Sequence, residues 1–420
     1  MKIGLLGRIL IAIALGVLLG QVLDLSWVRI FVTFNSVFGQ FLGFMIPLII
    51  VGLVTPAIAE IGSGAGKLLL ITVIIAYVDT IAAAILSYGT GATFFPTLLG
   101  TGGQQLETIE KSAEILPYFT LNMPPLLDVM SALVLSFIVG LGIAYGRLRV
   151  LREATGEMKT IITGVIERVI IPLLPVYIFG IFLSMTVSGE VMRMMTVFAK
   201  IIIVIFALHI FVLLYQYFIV GALVKRNPLK LLARMFPAYL TALGTSSSAA
   251  TIPVALKQTL KNGVSEGVAG FVIPLCATIH LSGSAMKITA CAFTIALLEG
   301  MPHDFPLFLH FILVLAIFMV AAPGVPGGAI MAALAPLSSI LGFGENEQAL
   351  MIALYIAMDS FGTACNVTGD GAIALAVDKI AARAIGRVYL VDAGLPSEVP
   401  QRCTDRQYRG TRKDNDRSSW

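Results

Sequence analysis

An all-α polytopic membrane protein is what this sequence predicts, and three observations carry the prediction. Of its 420 residues, 58% are hydrophobic and 12% charged, whereas a soluble domain usually carries about 25% charged residues. The apolar residues come in runs of ~20, long enough to cross a bilayer as helices. One such run near the C-terminus, Ala357 to Asp370, holds two carboxylates and an amide. A charged side chain at mid-membrane costs about 2.5 kcal/mol or more, so residues of this kind mark function by default.

Taken in order, candidate spans fall near 4–24, 34–58, 67–92, 128–148, 165–187 and 197–224. The first run resembles a secretory signal but lacks a small-residue cleavage site and is long enough to span, so it is read as a helix of the bundle. Lys2, Arg8, Lys67, Arg147, Arg149, Arg152, Lys159, Arg168, Lys225, Arg226, Lys230 and Arg234 all fall on one side of that arrangement. The segment from about 98 to 127, with Glu107, Glu110, Lys111 and Glu114, falls on the other. The positive-inside rule then puts both termini in the cytoplasm and the protein in the plasma (inner) membrane. The polar stretch from 389 to 420 is expected to be a disordered cytoplasmic tail.

After residue 229 the pattern changes. The apolar stretches 230–263, 266–299, 306–343 and 347–384 are each interrupted by Ser, Gly and Pro clusters. Such breaks free backbone groups, which lipid cannot satisfy, so they belong where protein buries them or where they line a wet cavity. The same half repeats itself: a small-residue tip at Gly244–Pro253 precedes a helix carrying His280-Leu-Ser-Gly-Ser284, and a second tip at Ala322–Gly328 precedes one carrying Asn366-Val-Thr-Gly-Asp370. Repeats with discontinuous helices are the sequence pointer to a secondary transporter's binding site. At about 100° per residue, Asp359, Thr363, Asn366 and Asp370 share one helical face.

The run Thr245-Ser-Ser-Ser-Ala-Ala-Thr-Ile-Pro253, the tip Pro323-Gly-Val-Pro-Gly-Gly328 and Asn366-Val-Thr-Gly-Asp370, in this order and spacing, resemble the dicarboxylate/amino acid:cation symporter family, which includes the glutamate transporters. The likeness extends to about residue 388. It implies eight transmembrane helices plus two re-entrant helical hairpins arranged as inverted repeats, a homotrimer and an elevator-type transporter. Residues 1–229 would then be mainly scaffold, with the spans near 67–92 and 197–224 partly in the transport domain, and 230–388 the transport core. The resemblance further implies that Asp359 binds a substrate ammonium, that Thr363 and Asn366 contact the substrate, and that Ser247 and Ser248 cradle its carboxylate, as helix-start amides attract anions. Val325, Pro326 and Gly327 would form the second gate, and Asp370, with Asn366, would ligate sodium, a hard cation that prefers oxygen.

Departures from the family pattern are as informative. Gly362 stands where acidic-substrate members resemble one another in carrying an arginine, and Ser246 stands where some carry one at the first tip. Without a guanidinium to pair a second carboxylate, a small neutral amino acid such as alanine, serine or threonine is the expected substrate. An acidic amino acid or C4 dicarboxylate, balanced by another cation such as Lys287, is the alternative. Ser282 replaces a family aspartate, Tyr355 stands where a carboxylate is common, and Asp79, next to Thr80, has gained a carboxylate near the family's hydroxyl ligands. Asp79, Thr80, His280 and Ser282 therefore join the candidate sodium set. Alternatively, Lys287 or protonated His280 pairs with Asp79 and replaces one sodium by a fixed or titrating cation, so a proton could be coupled instead.

Other classes fit less well. A channel would need no saturable site between two gates. An intramembrane serine protease would need a base oriented toward Ser246, Ser247 or Ser248. No phosphate-binding loop is present, so ATP-driven transport is disfavoured. The basic balance is that of cytoplasmic loops and indicates no nucleic-acid partner; lipid and a small-molecule substrate are the expected partners. Cys276, Cys291, Cys365 and Cys403 show no disulfide or metal spacing; His209, His303 and His310 are isolated and expected to pack. No enzymatic activity is expected.

Overall fold

The structure is a computed structural model that describes residues 5–62, 67–99, 115–146, 148–189, 191–322 and 326–392. Among them every regular element is helical. Helices α1 (Leu5–Leu19), α2 (Leu25–Gly62), α3 (Lys67–Leu99) and α4 (Val129–Gly146) follow the first four expected spans. The fifth is longer than its apolar core: α5 (Arg149–Val165), with Arg149, Arg152 and Glu153 exposed, runs through one π turn at Ile166–Ile170 into α6 (Ile171–Val187). Helix α7 (Val191–Val224) completes this half. Glu107, Glu110, Lys111 and Glu114 and the tail from residue 393 lie outside the described residues.

Each interrupted stretch of the second half is two helices. The first is a hairpin of α8 (Pro228–Thr245) and α9 (Ser248–Lys261), turned at Ser246 and Ser247. Next come α10 (Glu266–Ile279) and α11 (Ser282–Leu298), separated by two extended residues, His280 and Leu281. A second hairpin pairs α12 (Phe305–Ala321) with α13 (Gly328–Ser339), and α14 (Glu345–Ala357) is bent by 63° from α15 (Asp359–Asp392) at Met358. By length and composition five described stretches could cross a membrane, and the bent pair, taken as one span, is a sixth. Of the expected eight, the remaining two are α1 and α4, apolar but short in their described parts, as are the hairpin helices α12 and α13.

Two compact units result, residues 1–377 and 378–420. In the second, Asp378–Asp392 is helical. The first has two main apolar clusters, one built mainly from α2, α6 and α11 to α14 and reaching Met358, the other from α7 to α10 and the stretch of α15 from Ala364. Between Met358 of the first cluster and Ala364 of the second, α15 begins with the polar residues Asp359, Ser360 and Thr363.

Candidate functional site

Both hairpin tips touch the first turn of α15, at successive residues. The Gly327 amide of the second tip donates to Asp359 Oδ2 at 2.9 Å, and Ser246 Oγ of the first tip lies 2.6 Å from Ser360 Oγ. Two unusual backbone conformations build these tips. Ser246 has φ +50° and Gly327 φ +75°, the left-handed region that glycine enters freely and serine at a cost. Ser247 caps α9, its hydroxyl accepting from the Ala250 amide at 3.3 Å, and Ser248 begins the helix buried. Starts of α9, α13 and α15 thus converge, an environment with a partial positive charge suited to carboxylates.

Asp359 is 6% exposed and Lys287, on α11, is fully buried. The Lys287 ammonium lies 3.7 Å from Asp359 Oδ1, donates to the Tyr355 carbonyl at 3.2 Å and sits 3.5 Å from the centre of the Tyr355 ring. It reaches this position through a gap: a Cβ at Gly362 would meet Lys287 Nζ at 2.9 Å. A cation therefore stands next to position 362 but is supplied from α11. Asn366, one turn on, is turned toward that helix as well, its Oδ1 accepting from the Gly283 and Ser284 amides at 2.8 and 3.2 Å and its Nδ2 donating to Ser284 Oγ at 3.0 Å. The amide thereby satisfies helix-start donors that the break at His280–Leu281 leaves without partners.

A second polar cluster lies at the break itself. The buried His280 ring is held between two carboxylates, Nδ1 2.9 Å from Asp370 Oδ1 and Nε2 2.8 Å from Asp79 Oδ2. Tyr215 donates to Asp79 Oδ1 at 2.9 Å, and Gln216 Nε2 donates to Asp79 Oδ2 at 2.6 Å and to Ser282 Oγ at 3.1 Å. Gly369 leaves the room, because a Cβ there would meet Gln216 Oε1 at 2.8 Å and His280 Cε1 at 2.9 Å. A neutral imidazole has one N–H to offer these two carboxylates, whereas an imidazolium has two.

The sequence-predicted residues divide accordingly. Ser247, Ser248, Pro326 and Gly327 belong to the two tips that meet α15 at Asp359 and Ser360, Gly362 faces Lys287, Thr363 bonds back to the Asp359 carbonyl at 2.9 Å, and Asn366 turns to the start of α11; Val325 lies outside the described residues. Asp79, His280, Ser282 and Asp370 meet in the second cluster. Thr80 turns its hydroxyl to the Ala76 carbonyl at 2.8 Å instead. Of the two alternative partners for Asp79, Lys287 or His280, the structure brings His280 to it, and Lys287 lies beside Asp359 and Gly362 instead. Sequence reasoning missed Tyr215, Gln216, Ser284 and Ser360. Gln216 carried a signal, being an amide inside an apolar span. His209 is buried with neither ring nitrogen hydrogen-bonded among the described residues, and His303 Nδ1 bonds the Met301 carbonyl at 2.8 Å while its ring meets Phe293 edge-on. Cys276, Cys291 and Cys365 are free and buried.

Comparison with known proteins decides the family, for the profile of the sodium:dicarboxylate symporter family matches residues 5–380. The chain belongs to that family. Similar proteins include an excitatory amino acid transporter of Caenorhabditis elegans, 27% identical over 245 residues that make up 56% of this chain and 48% of that protein. Human excitatory amino acid transporter 5 is 30% identical over 191 residues, 45% of this chain and 33% of that one. The serine/threonine transporter SstT of Acinetobacter baylyi is 25% identical over 406 residues, 90% of this chain and 98% of that protein. This chain therefore spans less than half the length of those excitatory amino acid transporters but nearly all of SstT. That family is, by its description, one of sodium:dicarboxylate symporters.

Proposed function

We propose that this protein is a sodium-coupled secondary symporter of a small neutral amino acid, working by alternating access. The carrying observation is the buried Asp359–Lys287 pair, which is neutral as a whole. A zwitterion entering between the two charges leaves that balance unchanged, its ammonium on Asp359 and its carboxylate among Lys287, Ser247, Ser248 and the tip amides. Every charge stays partnered, and an unpartnered buried charge is what such a site must avoid. Nearly full-length similarity to a serine/threonine transporter supports the same substrate class.

Sodium, the co-transported ion, fits the second cluster. With one proton shared between ring and carboxyls its trio would carry one excess negative charge, and two buried oxygens, Gln216 Oε1 of the amide that bonds Asp79 and Thr368 Oγ1 two residues before Asp370, have no hydrogen-bond partner among the described residues. Oxygens of this kind suit a hard cation. One sodium per neutral amino acid would leave the core neutral. The remaining parts of this reading are a homotrimer in the inner membrane with both termini inside, and residues 230–388 moving as an elevator against a scaffold made mainly of residues 1–229.

A second substrate class is favoured by one observation, the Lys287 ammonium beside Gly362. From there it could receive the distal carboxylate of an acidic amino acid or C4 dicarboxylate. Uptake by the purified protein in vesicles decides between them. The first reading expects labelled alanine, serine or threonine to accumulate when sodium is outside, to be unaffected by excess succinate or aspartate, and to stop in Asp359→Asn. Accumulation of aspartate or succinate in place of these would overturn it.

A further inference from the structure

Away from the core, the turn between α7 and α8 and the end of α9 enclose a cavity of about 490 Å³. Its lining includes four cationic side chains, Arg226, Lys230, Arg234 and Lys261, and no carboxylate. Two of the four are held in place by backbone. Arg226 Nη1 donates to the Asn262 carbonyl at 2.6 Å and Arg234 Nη1 to the Lys261 carbonyl at 3.3 Å, both at the C-terminal end of α9. Gly263 makes room for the first guanidinium, since a Cβ there would meet Arg226 Nη1 at 2.7 Å. Each guanidinium has five N–H donors, so one carbonyl contact leaves most of them for an anion. Arginine forks and lysine ammoniums together are the usual receptor for phosphate oxygens.

The surroundings say what carries the phosphate. Continuing from Lys230 and Arg234, α8 exposes Leu229 (55%), Phe236 (57%) and Leu240 (49%), and α7 exposes Phe218 (53%) and Ile219 (63%) in the two turns before Lys225. Two adjoining helices thus present apolar surface that ends at one basic cleft, the profile of a phospholipid with its acyl chains along the helices and its headgroup in the cavity. We propose that this cleft binds the phosphate of an anionic phospholipid headgroup. The bound lipid ties the end of α7 to the base of the α8–α9 hairpin, remote from the substrate site.

The test uses the full-length protein in detergent, titrated with short-chain phosphatidylglycerol, short-chain phosphatidylcholine or inorganic phosphate while thermal unfolding is followed. Phosphatidylglycerol is expected to stabilise the wild type more than phosphatidylcholine. In Lys230→Gln/Arg234→Gln its half-saturating concentration should rise about 30-fold, the loss of two cations near an anionic headgroup. Arg149→Gln/Arg152→Gln, which removes two cations from another basic segment, should leave it unchanged. Stabilisation by inorganic phosphate alone, lost in the same double variant, would keep the phosphate site and overturn the lipid as its source. Equal effects of both lipids with none from phosphate, or a phosphatidylglycerol response equal in both double variants, would overturn the proposal.

Discussion

Lys287→Met removes the buried ammonium while keeping a flexible side chain of similar length. The Asp359 carboxylate is then left with the Gly327 amide and the neighbouring Tyr355 side chain. Breaking a buried ion pair by removing one member costs about 3–5 kcal/mol. The 3.7 Å separation argues for the lower end. Loss of the cation over the Tyr355 ring adds up to about 2 kcal/mol, partly offset by a methionine sulfur against the same ring. The total is about 3–4 kcal/mol, which in a chain of this size lowers the melting temperature by about 3–5 °C. Circular dichroism of the purified protein measures it, and Asp359→Asn completes a double-mutant cycle. Removing both charges should cost less than the sum of the single changes, with a coupling of about 2 kcal/mol. Additivity within about 0.5 kcal/mol would refute the pairing.

Three further outcomes follow from the same geometry. Gly362→Ala pushes on Lys287 Nζ, 2.9 Å from the added Cβ; because that atom ends a flexible chain, the stability loss should stay near 1 kcal/mol while transport affinity changes, read as KM against maximal rate. His280→Ala removes the group between Asp79 and Asp370 and should destabilise by about 3 kcal/mol or more, with His280→Gln recovering part of it; an unaltered melting curve would contradict the bridge. Ser246→Ala deletes the 2.6 Å contact to Ser360 and should cost about 1 kcal/mol and raise solvent protection loss at the first tip in hydrogen exchange.

Breaks in the chain were legible because Ser, Gly and Pro clusters interrupt otherwise apolar stretches, and each stretch is indeed two helices. The face shared by Asp359, Thr363, Asn366 and Asp370 needed only helical periodicity. What linear order could not carry was the partner of each charge. Lys287 and Asp359 are far apart in sequence, and nothing along either helix says that Lys287 enters through the gap at Gly362 rather than turning to Asp79. Gly362 illustrates the difficulty: it was legible as a missing side chain, yet it is a space filled from another helix by Lys287, as the space at Gly369 is by Gln216 and His280. The length of α5 and its π turn were equally invisible, since the charged residues of Arg149–Val165 read as a loop.

The central claim is that Asp359 and Lys287 together receive a neutral amino acid in a sodium-dependent way. Its most direct test is thermal stabilisation of the purified protein across the amino acids and C4 dicarboxylates, in sodium and in choline, because a ligand that binds only the folded state at 100 times its Kd stabilises by about 2.7 kcal/mol. The account predicts stabilisation by alanine, serine or threonine in sodium alone, abolished in Asp359→Asn. Stabilisation only by aspartate or succinate, or by neutral amino acids equally in choline and in the Asp359→Asn variant, would contradict it.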